Sequence, residues 1–366
     1  MSRFKFSLLA GALGVASFAA PAAANYDSYQ GELSKQSSTA TTATNVLRSS
    51  VAAVQTAVTG RVAARMNSQA ARTATALGYD SDRTGNAAAG KSAGFGLFGN
   101  VTATGIGDSA RTSKSTGVVA SGTIGGDYLI NDRLLIGAAL TISNTHVDTQ
   151  FNDGSFNAMG VGIAPFISYR ALDWLSVTGT AGYSFANVKT QRLKSVNSNT
   201  FTTPATGPGD FRGETEAHSY FVSLMGSGSW LINNWSLGSD LTLSWMDSAQ
   251  NGFTESNSSF SGVTVQGLRF GNQNTHLGQV QIMGRGGYLF TLDRSSKTFI
   301  EPYLKAGYEY DWSRTKVAKI NNIEHPNDAD GWIVGGGFNL FTGVGLSVSL
   351  DGQYQSRQDL NIGTGS

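Results

Sequence analysis

Four histidines, His146, His218, His276 and His325, are the side chains best suited to acid–base or metal chemistry. None has a second ligand at the spacing that a metal site needs. Ser219 follows His218, but a hydrolytic Ser–His pair needs a third group to hold it. Serine is common throughout the chain, so this adjacency carries little. There is no cysteine, which excludes a disulfide framework, thiolate catalysis and a thiolate metal centre. No catalytic, cofactor-binding or metal-binding residue is assigned, and no cofactor is expected. The net charge of +1 excludes a strong electrostatic pull toward nucleic acid. Two charge patterns are left. Asp127, Arg170, Asp240, Arg285, Glu301, Lys305, Glu309 and Asp351 are scattered singly through weakly charged sequence. Arg48, Arg61, Arg65 and Arg72 are spaced through an Ala-, Ser- and Thr-rich segment.

The scattered charges are placed by alternation. Leu134, Ile136, Ala138, Leu140 and Ile142 interleave with Leu135, Gly137, Ala139, Thr141 and Ser143. Leu237, Leu241, Leu243 and Trp245 interleave with Ser236, Gly238, Asp240, Thr242 and Ser244. Val280, Ile282, Gly284, Tyr288 and Phe290 interleave with Gln279, Gln281, Met283 and Arg285. A period of two gives each strand one apolar and one polar face. Charged residues are only 14% of a chain holding 46 glycines and 6 prolines. Repeated alternation with so few charges predicts an all-β fold, a transmembrane antiparallel up-and-down β-barrel of about 12 strands. Leu134, Ile136, Leu140, Val161, Ile163, Val177, Leu243 and Ile282 are then expected to face lipid. The scattered charges fall on the other face, the lumen; at mid-membrane in lipid each would cost about 2–4 kcal/mol. Each isolated histidine is read as a loop or lumen residue.

The chain opens with Arg3 and Lys5, an apolar run Leu8–Ala20, and Pro21–Ala24. That order is a secretory signal peptide over 1–24. Beyond it no apolar stretch is long enough for a membrane helix. Residues 25–90 lack alternation. Within them Val46/Leu47, Val51, Val54, Val58, Val62 and Met66 recur at three- and four-residue steps, one face of an α-helix. This reading places the N-terminal α-helix over about 41–77, with a break at Gly60, and a linker marked by Gly78, Gly85 and Gly90.

From 91 to 366 about eleven strands are visible, at about 94–105, 116–130, 133–146, 156–171, 174–189, 215–232, 235–248, 274–291, 297–313, 329–341 and 344–357. Tight turns fall at Asn131-Asp132, Leu172-Asp173, Asn233-Asn234 and Thr342-Gly343, with a longer one at Leu292–Ser296. Long polar connections over 106–115, 147–155, 190–214, 249–273 and 314–328 alternate with them. Outer-membrane barrels have short periplasmic turns and long outer loops. Trp174, Trp230 and Trp235 flank the turns, while Tyr183, Phe185, Tyr220, Trp245, Tyr308 and Tyr310 lie toward the loops. Two such bands fit the aromatic girdles of a membrane barrel.

The helix segment Thr44–Val62, the segment Gly125–Ile130 with its turn, and Pro302–Tyr308 carry a resemblance. The whole, over about 41–366, resembles the translocation unit of bacterial autotransporters. The resemblance implies a twelve-strand barrel with the helix threaded through its pore, Gram-negative outer-membrane location and delivery by the barrel-assembly machinery. With the helix in the pore, the mixed lumen charges are read as a socket in which Arg48, Arg61 and Arg65 meet carboxylates among Asp127, Asp240, Glu301, Glu309 and Asp351. Two departures stand out. Only about 16 residues separate the expected cleavage site from Thr41, where the family carries a long passenger. The end, Asp359–Ser366, lacks the family's terminal aromatic; either this tail supplies a short twelfth strand or the sequence stops early. Asn67 lies where some members cleave themselves, but no cleavage signature supports that here. The expected function is a structural or translocation unit with a vestigial passenger, not an enzyme, with outer-membrane lipid as its surroundings. The alternatives are a small porin-like channel, or an adhesin touching a host or matrix surface through 190–214 and 249–273.

Overall fold

The computed structural model describes residues 38–67, 94–110, 113–192, 210–260, 263–293, 298–315, 329–342 and 347–366. The expected signal peptide, the end of the expected helix at 68–77 with Arg72, His325, and most of the 190–214 and 314–328 connections lie outside the described residues. Helix α1 (Ser38–Val62) is followed by a π-helical turn, Ala63–Asn67. It starts three residues before the expected position and runs through Gly60 without a break.

The strands are β1 (Gly94–Asp108), β2 (Ser115–Asn131), β3 (Leu134–Thr149), β4 (Gly154–Leu172), β5 (Leu175–Arg192), β6 (Phe211–Ile232) and β7 (Trp235–Gln250). Four short strands in one connection follow: β8 (Phe253–Thr254), β9 (Ser258–Phe260), β10 (Val263–Val265) and β11 (Arg269–Phe270). The barrel resumes with β12 (Gln273–Tyr288), β13 (Phe290–Asp293), β14 (Thr298–Arg314), β15 (Asp330–Phe341), β16 (Ser347–Ser356) and β17 (Leu360–Gly365). Neighbours pair antiparallel in chain order, β12 pairs with both β7 and β14, and β17 pairs with β1. Leu289 interrupts β12–β13, which together form one stave, so the closed barrel has twelve staves. The tail does supply the twelfth strand. It is short: β17 pairs β1 only along Ala103–Asp108.

The two faces follow the alternation. Ile136, Leu140, Val161, Ile163, Leu243 and Ile282 are exposed on the outer surface, and Leu134 and Val177 share that face half-exposed. Trp174 stacks on Trp230 and Trp235 meets Tyr288 at the turn end. Tyr183 meets Tyr220, and Tyr308 meets Trp332, toward the loops. Turn chemistry is local. The Asn131 side-chain oxygen accepts hydrogen bonds from the Arg133 and Leu134 amides, and Asn233 takes a left-handed φ of 55°, which asparagine tolerates.

The expected strict alternation of short and long connections needs correction. β3 and β4 continue past the expected boundaries, so the connection placed at 147–155 is the four-residue turn Gln150–Asp153. β16 and β17 are joined by Arg357–Asp359 alone. The 249–273 connection carries two small ladders, β8–β11 and β9–β10. The histidine expectation is also corrected. His146, His218 and His276 lie in strands on the outward face near the loop end, against Asn157, Tyr183 and Trp245 respectively. Strands that outrun the bilayer keep their period of two, and there their outward face meets water, which accepts polar side chains.

Candidate functional site: the helix in the barrel lumen

Helix α1 lies against the inner wall. Leu47, Val51, Val54, Val58, Val62 and Met66 are all buried. Val54, Val58, Val62 and Met66 pack with Leu129, Leu135, Ala139, Ala164 and Phe166, and with the edges of Phe98 and Phe221. Leu47 and Val51 pack with Met246 and Leu277. The inward face of β2–β6 is thus not uniformly polar; it carries an apolar patch that the valine stripe covers. Burying one such aliphatic side chain contributes about 1.5–3 kcal/mol. Phe98 and Phe166 form part of that floor, edge to face at 6.1 Å. They lie over Gly125 and Gly137, where any Cβ would collide with the rings.

Ion pairs hold α1 near its middle and at its C-terminal end. Arg61 and Arg65 are one helical turn apart and share a face. Both donate through Nε to Asp127, whose side chain is fully buried; the Arg65 bond is 3.0 Å. Arg65 also donates to the Gly94 carbonyl at 2.7 Å. Arg170 donates to the Met66 carbonyl, one of the orphan acceptors that a helix end leaves. Near the middle of the helix Arg48 binds Asp311 at 2.6 Å. Asp311 is shared with Arg357 at 2.7 Å, and Arg357 also holds Glu309. Gln279 donates to both carboxylates at 3.2 Å. Ser38, the first helix residue, contacts Thr149 Oγ1 at 2.9 Å and accepts from Asn152 at 2.9 Å. Such pairs cost desolvation and add little net stability, but they specify register.

The other expected lumen charges do not meet the helix arginines. Lys305 binds Asp351 at 2.6 Å, and Tyr303 donates to the same carboxylate at 2.6 Å. Asp240 accepts from Ser227 at 2.6 Å. Glu301 accepts from Asn339 at 2.9 Å. The Arg285 guanidinium lies 5.2 Å from the centre of the Tyr303 ring. These groups border a cavity of ≈ 300 Å³ between the polar side of α1 and β7, β12, β14, β15 and β16. The helix therefore hugs one wall and leaves a polar gap along the other.

Asp311 and Arg357 were missed from sequence. Alternation from Glu309 places Asp311 on the inward face, so its signal was present. Arg357 stands in a turn, where period-two patterning assigns no face. Arg192 and Glu255 were also missed. They form a buried pair at 2.6 Å that ties the β7–β12 connection to β5, with Arg192 packed 4.6 Å from the Phe211 ring centre. Among the described residues no group of three His, Asp or Glu side chains is placed to hold a metal.

A family model, the autotransporter β-domain, matches residues 90–355. The chain belongs to the autotransporter β-domain family. Solved structures that share its fold include two autotransporter domains. The translocator domain of the autotransporter NalP from Neisseria meningitidis matches with a TM-score of 0.57 at 14% identity, over 83% of this chain and 96% of that one. The β-domain of the Bordetella autotransporter BrkA matches with a TM-score of 0.52 at 14% identity, over 74% and 97%. A comparison with curated proteins gave no match. Autotransporter β-domains are structural and transport barrels rather than an enzyme family, and they reside in the Gram-negative outer membrane. As a class they are put in place by the barrel-assembly machinery. At such low identity the two neighbours speak for the fold of this autotransporter β-domain and not for the roles of its residues.

Proposed function

We propose that this autotransporter β-domain is a membrane-embedded translocation unit whose pore is largely blocked by its own helix α1. The turn end faces the periplasm and the loop end faces the outside. One observation carries the reading: buried arginines in the middle and at the C-terminal end of α1 find buried carboxylates on the barrel wall, while the valine stripe between them covers a matching apolar patch. A helix is about 10–12 Å across with its side chains, so its presence excludes any larger solute. In this reading the stretch between Ala24 and Thr41 is a vestigial passenger, and the mass of the mature chain checks it. The porin-like alternative draws on the polar cavity beside the helix.

Planar-bilayer recording of the full protein beside a chain lacking residues 25–85 tests the plug. The truncated barrel is expected to conduct far more than the full chain. Equal conductance rejects the plug and favours the porin-like reading. Binding of cells to loop-deleted protein tests the adhesin alternative.

A further inference from the structure

We propose that Arg357 latches the barrel seam to the docked helix, so that α1 leaving the wall loosens the closure of β17 on β1. This deepens the reading above and rests on α1 lying in the pore. The ladders at the seam are short. β17 pairs with β1 only along Ala103–Asp108 and with β16 only along Gly352–Ser356, whereas β1 pairs with β2 from Gly94 to Asp108. A short ladder leaves more of the closure to side chains.

One turn serves both the seam and the helix. Arg357–Asp359 joins β16 to β17. At its far end the Asp359 carbonyl accepts the amide of Ser109, just past the end of β1, at 2.8 Å. At its start the Arg357 amide donates to the Leu360 carbonyl at 2.8 Å. The Arg357 side chain turns inward and is fully buried. Its Nε donates to Glu309 at 2.7 Å, and its Nη1 and Nη2 donate to Asp311 at 2.7 and 3.1 Å. Asp311 Oδ2 also accepts from Arg48 Nη2 of α1 at 2.6 Å. A single carboxylate therefore holds the helix and the closing turn together.

The energetics of this set couple the two. Two guanidiniums meet two carboxylates, and all four residues are buried. Gln279, donating to both carboxylates, and Gln355, donating to Glu309, fix them between the arginines. Losing one member of a buried set leaves its partners charged and dry, which is costly. With Arg48 gone, Glu309 and Asp311 share Arg357. With α1 lifted from the wall, water reaches the set, and an ion pair in water is worth little. Either change weakens the hold on the turn. Such coupling is reciprocal: the factor by which docking of α1 tightens the seam is the factor by which a closed seam tightens docking.

The test is hydrogen–deuterium exchange of the full-length protein in detergent micelles, read in peptides covering 103–108 and 360–365. Arg48→Gln is expected to speed exchange there by about fivefold or more, the low end of a typical coupling between sites, with the β4–β5 ladder unchanged. Arg48→Lys, which keeps the charge, is expected to keep most of the protection. Arg357→Gln reads the reciprocal arm: its single-channel records should show visits to the conductance of the chain lacking residues 25–85. Wild-type exchange at the seam of Arg48→Gln, or faster exchange spread evenly over all strands, overturns the latch. Wild-type conductance of Arg357→Gln does the same. Should Arg357→Gln fail to fold, the exchange of Arg48→Gln decides alone. These failures leave the plug standing if the truncated chain still conducts far more than the full one. Equal conductance of those two chains defeats the plug itself, and the latch falls with it.

Discussion

Asp127→Asn is the sharpest perturbation of the helix socket. The Asp127 side chain is fully buried, and the Arg61 and Arg65 side chains that it holds are only 5% and 3% exposed. Arg61 Nη2 already lacks a hydrogen-bond partner among the described residues. Asparagine keeps the shape but replaces one acceptor oxygen with a donor, and guanidinium groups accept nothing. Two buried cations would then share no negative charge. Breaking a buried ion pair by removing one partner costs about 3–5 kcal/mol. At about 1.4 kcal/mol per factor of ten, the ratio of docked to undocked helix falls by roughly two to three and a half powers of ten. Single-channel records of Asp127→Asn should show long visits to the conductance of the barrel lacking residues 25–85. Trypsin should cut after Arg61 or Arg65 where wild type resists. Adding Asp127→Asn to a chain already carrying Arg61→Gln and Arg65→Gln should cost far less, because the pairwise energy is then gone. An Asp127→Asn barrel with wild-type conductance and wild-type resistance to trypsin would refute the socket.

Three further outcomes are expected. Val58, only 2% exposed on the helix stripe, should cost about 2 kcal/mol as Val58→Ala, while Ile136→Ala on the lipid face should shift thermal unfolding in detergent little; equal shifts would contradict the helix–wall contact. Arg192→Ala should release the β7–β12 connection from its buried Glu255 partner and expose Phe253 to chymotrypsin, and an unchanged digest would show that the pair is not what holds it. Protease added to intact cells should cut within 190–214 and 249–273 but spare Asn131, Asp173 and Asn233; cleavage at Asn131 with 190–214 protected would reverse the orientation.

The barrel was legible because alternation needs only local sequence. Leu134 to Ile142 shows it without reference to any neighbour. Strand ends were less legible. Asp148 looks like loop and was placed in a connection, yet the inward residues Val147 and Thr149 beside it are buried and keep the period going. The helix face was readable from Val51, Val54, Val58 and Val62, but its partner surface was not. Leu129 and Leu135 look like lapses in a polar face until the helix covers them. The socket was half-readable. Asp127 follows from its face, but its pairing with two arginines depends on where the helix sits. The partner of Arg48 was placed among the wrong carboxylates, because Asp311 lies near a strand end and is organised by Arg357 from a turn 46 residues away.

The central claim is that α1 occupies the lumen of the membrane-embedded barrel, and an engineered disulfide tests it most directly. The chain has no cysteine, so an introduced pair reports only on itself. Ser38 Oγ and Thr149 Oγ1 lie 2.9 Å apart, so thiols introduced at the two positions would face each other. Ser38→Cys combined with Thr149→Cys should cross-link under mild oxidation in isolated outer membranes, with neither single variant doing so. A folded, membrane-inserted barrel whose two thiols stay free and react separately with a water-soluble maleimide would contradict the account.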